Sequence, residues 1–142
     1  MQAVRGLQRP GVVDTVRTVS QAGAEALARD WIDAFNRHDL DAVLAHYADD
    51  IEFTSPAVIE VLGEPSGTVR GKPALRDYFA KGLAKYPNLG FELLEVLTGV
   101  DSVSMLYRSL HRGRLATEVM TLDAEGLVVK VMVHYGRTLP EE

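Results

Sequence analysis

The sequence predicts an α+β fold in which helices come first and a four-stranded antiparallel meander comes last. Three observations carry this. Apolar residues recur at helical spacing from Ala22 to Leu83; long extended runs broken by turn residues replace that pattern after Pro87; and 142 residues suit a single core. The expected organisation is an arm over residues 1–19, flexible or packed on a partner, and one domain over 20–142.

The elements follow in order. Between Ala22 and Arg37, Leu27, Trp31 and Phe35 fall at i, i+4 and i+8 beside a row of Ala24, Ala28 and Ile32, the stripe of an amphipathic helix. Ser20 is placed to cap it. Asn36-Arg37-His38 breaks the pattern, and Asp39 is placed to cap a shorter helix whose Leu40, Val43, Leu44 and Tyr47 share a face. Ile51–Ser55 reads as a short strand, and Pro56 to Gly71 as a loop with an apolar middle, Val58 to Leu62, able to cover a core or a pocket mouth. A third helix opens at Gly71-Lys72-Pro73, carries Leu75, Tyr78, Phe79 and Leu83, and stops at Pro87. Phe91–Leu97, Ser102–Arg112, Arg114–Asp123 and Leu127–Tyr135 are the long strands. Several are apolar on both faces, so one face takes the helices and the other is expected to meet a second copy of the sheet.

Composition excludes several functions. A net charge of −5 argues against nucleic acid, whose phosphates select a basic surface. No run of about 18 apolar residues suggests a membrane span, and Pro10, Gly11 and Asp14 interrupt any signal-like stretch, so a cytoplasmic protein is expected. With no cysteine there is no thiolate chemistry. No histidine–carboxylate set has metal-ligand spacing, and no phosphate-binding or nucleophile-elbow motif is present, so no metal and no cofactor are expected.

The run Asn36 to Asp50, read as N-x-H-D-L-D-A-x-x-x-x-Y-A-D-D, and the hairpin Asp123-Ala124-Glu125-Gly126 before the last strand resemble the nuclear transport factor two-like superfamily, in particular its SnoaL-like and ketosteroid-isomerase-like bacterial members. The resemblance covers residues 22 to 137. It implies a cone: a curved antiparallel sheet, cystatin-like, wrapped around three helices, with a cavity inside and a convex face that makes a homodimer. Positions matched to the steroid isomerase put its general base on Ser55, its oxyanion-hole tyrosine on Trp31 and its donor acid on Glu118. A serine hydroxyl cannot abstract a carbon-bound proton unaided, so classical ketosteroid isomerase activity is not expected.

Glu118 remains the most informative residue. Its strand sets Ala116, Glu118, Met120 and Leu122 on one face, a carboxyl within an apolar row. In an apolar cavity its pKa would rise and it would exchange protons with a ligand; the structural alternative is an ion pair with an inward arginine, or a hydrogen bond to a tyrosine, that merely orders the core. A two-residue turn at Arg112-Gly113 pairs Tyr107 with Glu118, and a four-residue turn from Asp123 to Gly126 sets Val131 opposite Glu118, with Val133 and Tyr135 on the same face. His134 then points to the convex side, although a one-residue slip would bring it inward. His38 and His46 read as capping or solvated, His111 as reaching the rim, and Arg108, Arg112 and Arg114 as a solvated hairpin or an anion-attracting group.

The expected catalytic set is Glu118, Tyr107 and Tyr47, with Trp31, Phe53, Ser55, Ala116, Met120, Val131 and Tyr135 lining a pocket for a small apolar molecule. The expected chemistry is acid–base, of an isomerase, cyclase or hydratase type. The alternative is a non-catalytic binding or dimeric assembly module in which Glu118 is structural.

Overall fold

The computed structural model describes residues 18–140. The arm expected over residues 1–19 therefore lies outside the described residues except for Thr18 and Val19, and Val19 is buried against the core.

Ten elements make up the domain: α1 (Gln21–Asn36), α2 (Leu40–Leu44), β1 (Tyr47–Thr54), α3 (Pro56–Leu62), β2 (Thr68–Arg70), α4 (Lys72–Lys85), β3 (Phe91–Thr98), β4 (Ser102–Ser109), β5 (Arg114–Leu122) and β6 (Val128–Thr138). The first two helices start where the sequence says. The Ser20 hydroxyl accepts from the Gly23 N–H and the Asp39 carboxylate from the Ala42 N–H, each at 3.1 Å, satisfying donors that a helix start leaves open. Between them the chain reverses at His38, whose φ of 58° is the left-handed conformation.

Three expectations need correction. Pro56 to Gly71 is not a loop. Ser55 caps α3, Pro56 occupies its first turn and Gly63 closes it at φ 72°, so the proline and glycine mark helix ends. Two turns are too few to show a period, and the domain has four helices instead of three. Tyr47 belongs not to α2 but to β1, which starts four residues before the expected strand and pairs in parallel with β6. The meander β3–β6 forms as expected, but within a six-stranded open curved sheet of order β2-β1-β6-β5-β4-β3.

The third correction concerns register. The hairpin after β4 is wider than two residues: Ser109 pairs with Arg114, Tyr107 with Ala116 and Met105 with Glu118. Across the next turn Glu118 faces Val133, and Val131 faces Met120. Both pairings are displaced by two residues from expectation. Because side chains alternate with period two, an even slip keeps every residue on its face. Val103, Met105, Tyr107, Ala116, Glu118, Met120, Val131 and Val133 all point to the helices and are buried. His134 lies opposite Thr117 on the other, convex face and is exposed, as the favoured register had it.

The concave face closes on α1 and α4 through a ring cluster. Trp31 stacks on Phe91 at 5.5 Å and 8°, and Phe35 meets Trp31, Phe79 and Phe91 edge-on. On the convex face, the row Leu97, Ser104, Val119 and Met132 runs across four strands, with Leu97 55% and Met132 42% exposed.

Candidate functional site

A cavity opens at one end of the concave face. Its floor is Glu118, Tyr107 and Val133 from the sheet; its walls are Trp31 and Phe35 of α1, Phe53 and Ser55, and Tyr78 and Phe79 of α4. The partly exposed lining residues mark the mouth: Val61 of α3, Tyr86, Leu89, and His111 and Arg112 of the β4–β5 turn. Counted by where the centre of a water molecule fits, the volume is about 60 Å³. That holds roughly four to six waters at ~10–15 Å³ each. All the space that the lining residues leave unfilled, open solvent at the mouth included, is about 540 Å³.

Glu118 is 2% exposed. Tyr107 donates to its Oε1 at 2.7 Å, and its buried Oε2 has no hydrogen-bond partner in the protein. Burial drives the carboxyl up to about 8, against a smaller opposite pull from the Tyr107 hydrogen bond, so Glu118 is mostly protonated at neutral pH. Burial also raises Tyr107, Tyr78 and Tyr135, and the nearby Glu118 charge adds to each. The phenols stay neutral donors. The Ser55 hydroxyl accepts from the Ala57 N–H at 3.1 Å as the cap of α3, and it interacts with the phenols of Tyr78 and Tyr135.

The mouth carries charge that is internally paired. The Arg112 guanidinium bonds Glu60 Oε1 at 2.8 Å and lies over the rings of Tyr86 and Tyr135 at 4.8 and 5.1 Å. Burial alone would raise Glu60, but hydrogen bonds from Tyr86 and Arg112 outweigh it and hold the carboxyl at about 2. This corrects the reading of Arg112 as part of a solvated hairpin: its side chain is 15% exposed and ties α3 to the sheet across the mouth. Arg108 does match that reading, pairing at the surface with Glu92. His111 lines the cavity, as its place near the rim suggested. Burial, then the Arg112 charge, lowers it to about 4, so it is neutral.

Of the residues expected to form the site, Glu118, Tyr107, Trp31, Phe53, Ser55 and Tyr135 line the cavity; Tyr47, Ala116, Met120 and Val131 do not. Those four are buried in the core. The Tyr47 hydroxyl is occupied by the Trp31 indole N–H at 2.8 Å. Tyr78, Phe79, Phe91 and Tyr86 also line the cavity, and apolar spacing on a helix, the first residue of a strand or a residue before proline carries no sign of one. His46 meets Asp30 at 2.7 Å and His38 meets the carbonyl of Leu89, a mouth residue, at 2.9 Å; neither histidine lines the cavity. Among the described residues no group of three or more His, Cys, Asp or Glu is placed to hold a metal, and no helix is long and apolar enough to cross a membrane.

A family model described as SnoaL-like domain matches residues 28–137. Among solved structures, a SnoaL-like protein of unknown function from Burkholderia thailandensis E264 matches with TM-score 0.80 and 46% identity, covering 84% of this chain and 99% of that one. AclR, a candidate hydroxylase from Streptomyces galilaeus, matches with TM-score 0.62 and 20% identity over 82% of this chain and 91% of its own. A candidate ketosteroid isomerase from Kribbella flavida DSM 17836 matches with TM-score 0.60 and 17% identity over 84% of this chain and 82% of its own. At those identities the last two show the fold alone. No curated protein matches the sequence.

Proposed function

The chain belongs to the SnoaL-like domain family, and from that premise we propose that it is an acid–base enzyme acting on a small, largely apolar carbonyl compound, with Glu118 moving the proton. One observation carries the reading: the buried carboxyl meets the cavity with one oxygen held by Tyr107 and the other unpartnered. An ionised carboxyl kept at this depth for structure alone needs a cation. The arginine that reaches the cavity pairs with Glu60 instead.

The chemistry follows from the protonation state. With the proton on Oε2, Glu118 donates to a ligand carbonyl oxygen while Tyr107 fixes the other oxygen. Its value of about 8 also leaves an ionised fraction near neutral pH, in which Oε2 takes the α-proton of the ligand, leaving an enolate and a neutral carboxyl, and then returns that proton to carbon. Aromatic walls exclude water and strengthen each hydrogen bond. Isomerisation and aldol-type cyclisation use the α-proton transfer, and hydration uses the hydrogen bond to the carbonyl oxygen. Ser55 supplies no second base, so the enzyme differs from the steroid isomerase at that point.

The test uses α-proton exchange of 2-tetralone and cyclohexenone in D₂O, followed by ¹H NMR. Wild type is expected to exchange deuterium faster than buffer, and Glu118→Gln to lose that excess by about 10²–10⁴-fold with its fold intact. Exchange at the buffer rate for both proteins supports the binding-module alternative.

We also assign the convex face to a homodimer, on the exposed Leu97 and Met132 and the partly buried Val119 between them. Sedimentation at micromolar concentration is expected to give twice the 15.6 kDa chain mass. A single species at the chain mass removes this assignment without touching the cavity.

A further inference from the structure

We infer that His111 is the cavity's second polar contact for its ligand, so that the site takes a planar conjugated molecule of one or two rings with an oxygen at each end. One oxygen meets Glu118 at the floor and the other meets the imidazole at the mouth. This rests on the acid–base reading above, which supplies the floor contact.

The two residues line the same cavity from opposite depths: Glu118 is fully buried and His111 half-buried. Tyr107, which holds Glu118, and His111 are four residues apart, so their backbones are at most roughly 13 Å apart at ~3.3 Å per residue. What spans that gap is flat and aromatic. Phe91 stands 4.7 Å from Tyr107 and 5.8 Å from His111, with Trp31 parallel behind it. Such a surface selects planar ligands by stacking.

The His111 ring is oriented, not loose. Tyr86 packs on it at 4.9 Å, and its Nδ1 accepts from the Gly90 N–H at 3.5 Å. With Nδ1 accepting, the neutral tautomer assigned from that contact carries its proton on Nε2, which becomes the donor for a ligand oxygen. Burial beside Arg112 keeps the ring neutral. The Arg112 charge is itself committed to Glu60, so nothing at the mouth demands an anionic ligand. A neutral hydroxy-ketone fits both ends.

The sequence has one tryptophan, and it lines the cavity, so the single indole signal in a ¹H–¹⁵N spectrum reports occupancy without assignment. Titrating with 4-hydroxyacetophenone, acetophenone and toluene, wild type is expected to bind the first about tenfold tighter than the second, and toluene most weakly. In His111→Phe, which keeps an aromatic ring against Tyr86 and Phe91, the preference should fall to about one. In His111→Gln, which keeps a donor, a preference should return. A merely structural His111 would weaken all three probes together. Equal binding of the two ketones by wild type, which needs no variant, or a preference surviving in His111→Phe, overturns the assignment and leaves the acid–base reading standing. No indole shift with any probe overturns both.

Discussion

Glu118→Gln is expected to melt above the wild-type protein at pH 8 and to lose that advantage by pH 5. The carboxyl has its ordinary value of 4.5 in the unfolded chain and about 8 in the folded one. Between those values the unfolded state has released the proton and the folded state has kept it, so unfolding releases a proton and stability falls as pH rises. The full contribution is present below pH 4.5 and is gone above pH 8. At 1.36 kcal/mol per pKa unit, the wild-type protein gives up on the order of 4 kcal/mol across that window. Glutamine does not ionise and can still accept the Tyr107 hydrogen bond, but its buried amide N–H groups bring an offsetting cost of about 1–3 kcal/mol. The crossover therefore falls inside the window, and at pH 8 the variant should gain several degrees, at about 3–4 °C per kcal/mol for a chain of this size.

His111 bends the raw curve the other way. Its folded value is depressed, so its contribution is present above its ordinary 6.5 and is lost as pH falls through about 4. The wild-type protein then shows a dome, and the variant only the rise that His111 gives. Subtracting the variant's melting temperatures from the wild type's cancels His111 and isolates Glu118. A difference flat from pH 5 to 8 means that Glu118 is ionised and paired in the fold, and the acid–base reading loses its proton donor.

How much of this was legible in the sequence depends on which physical signal carried it. Side-chain parity was legible because it needs only alternation. Both turns were misjudged by two residues, yet Tyr107 still met Glu118, diagonally instead of directly across, and Val133 and Tyr135 still shared its face. The helix starts at Ser20 and Asp39 were legible because capping chemistry is local. The seven-residue α3 was not, since it lacks a period and its boundary residues double as loop residues. The end of the concave face that stays open was hidden altogether. It depends on how far α4 reaches over the sheet, and no short stretch of residues encodes that. So Met120 and Val131, correctly placed inside, turned out to be packing, while Tyr78 and Arg112 became walls.

Tyr47 is where this distinction is most sharply testable. The sequence puts it in the expected catalytic set, whereas the fold gives its buried hydroxyl to the Trp31 indole at 2.8 Å and keeps its ring off the cavity wall. Trp31→Phe removes that donor together with part of a fully buried ring that packs on Phe35 and Phe91. A loss of about 2–4 kcal/mol is expected, because a smaller ring leaves space and the Tyr47 oxygen is stranded without its donor. Tyr47→Phe should cost about 1–2 kcal/mol, since it leaves only the indole N–H unpaired. Once one partner has gone, removing the other costs little, so the double variant should be destabilised by at least about 1 kcal/mol less than the sum of the single changes. Urea unfolding of the four proteins measures this. Strict additivity would mean that the pair contributes no coupling and that the Tyr47 hydroxyl is held by something else. In Tyr47→Phe the 2-tetralone exchange rate should stay within about twofold of wild type; a hundredfold loss, of the size that general acid–base groups command, would return Tyr47 to the chemistry.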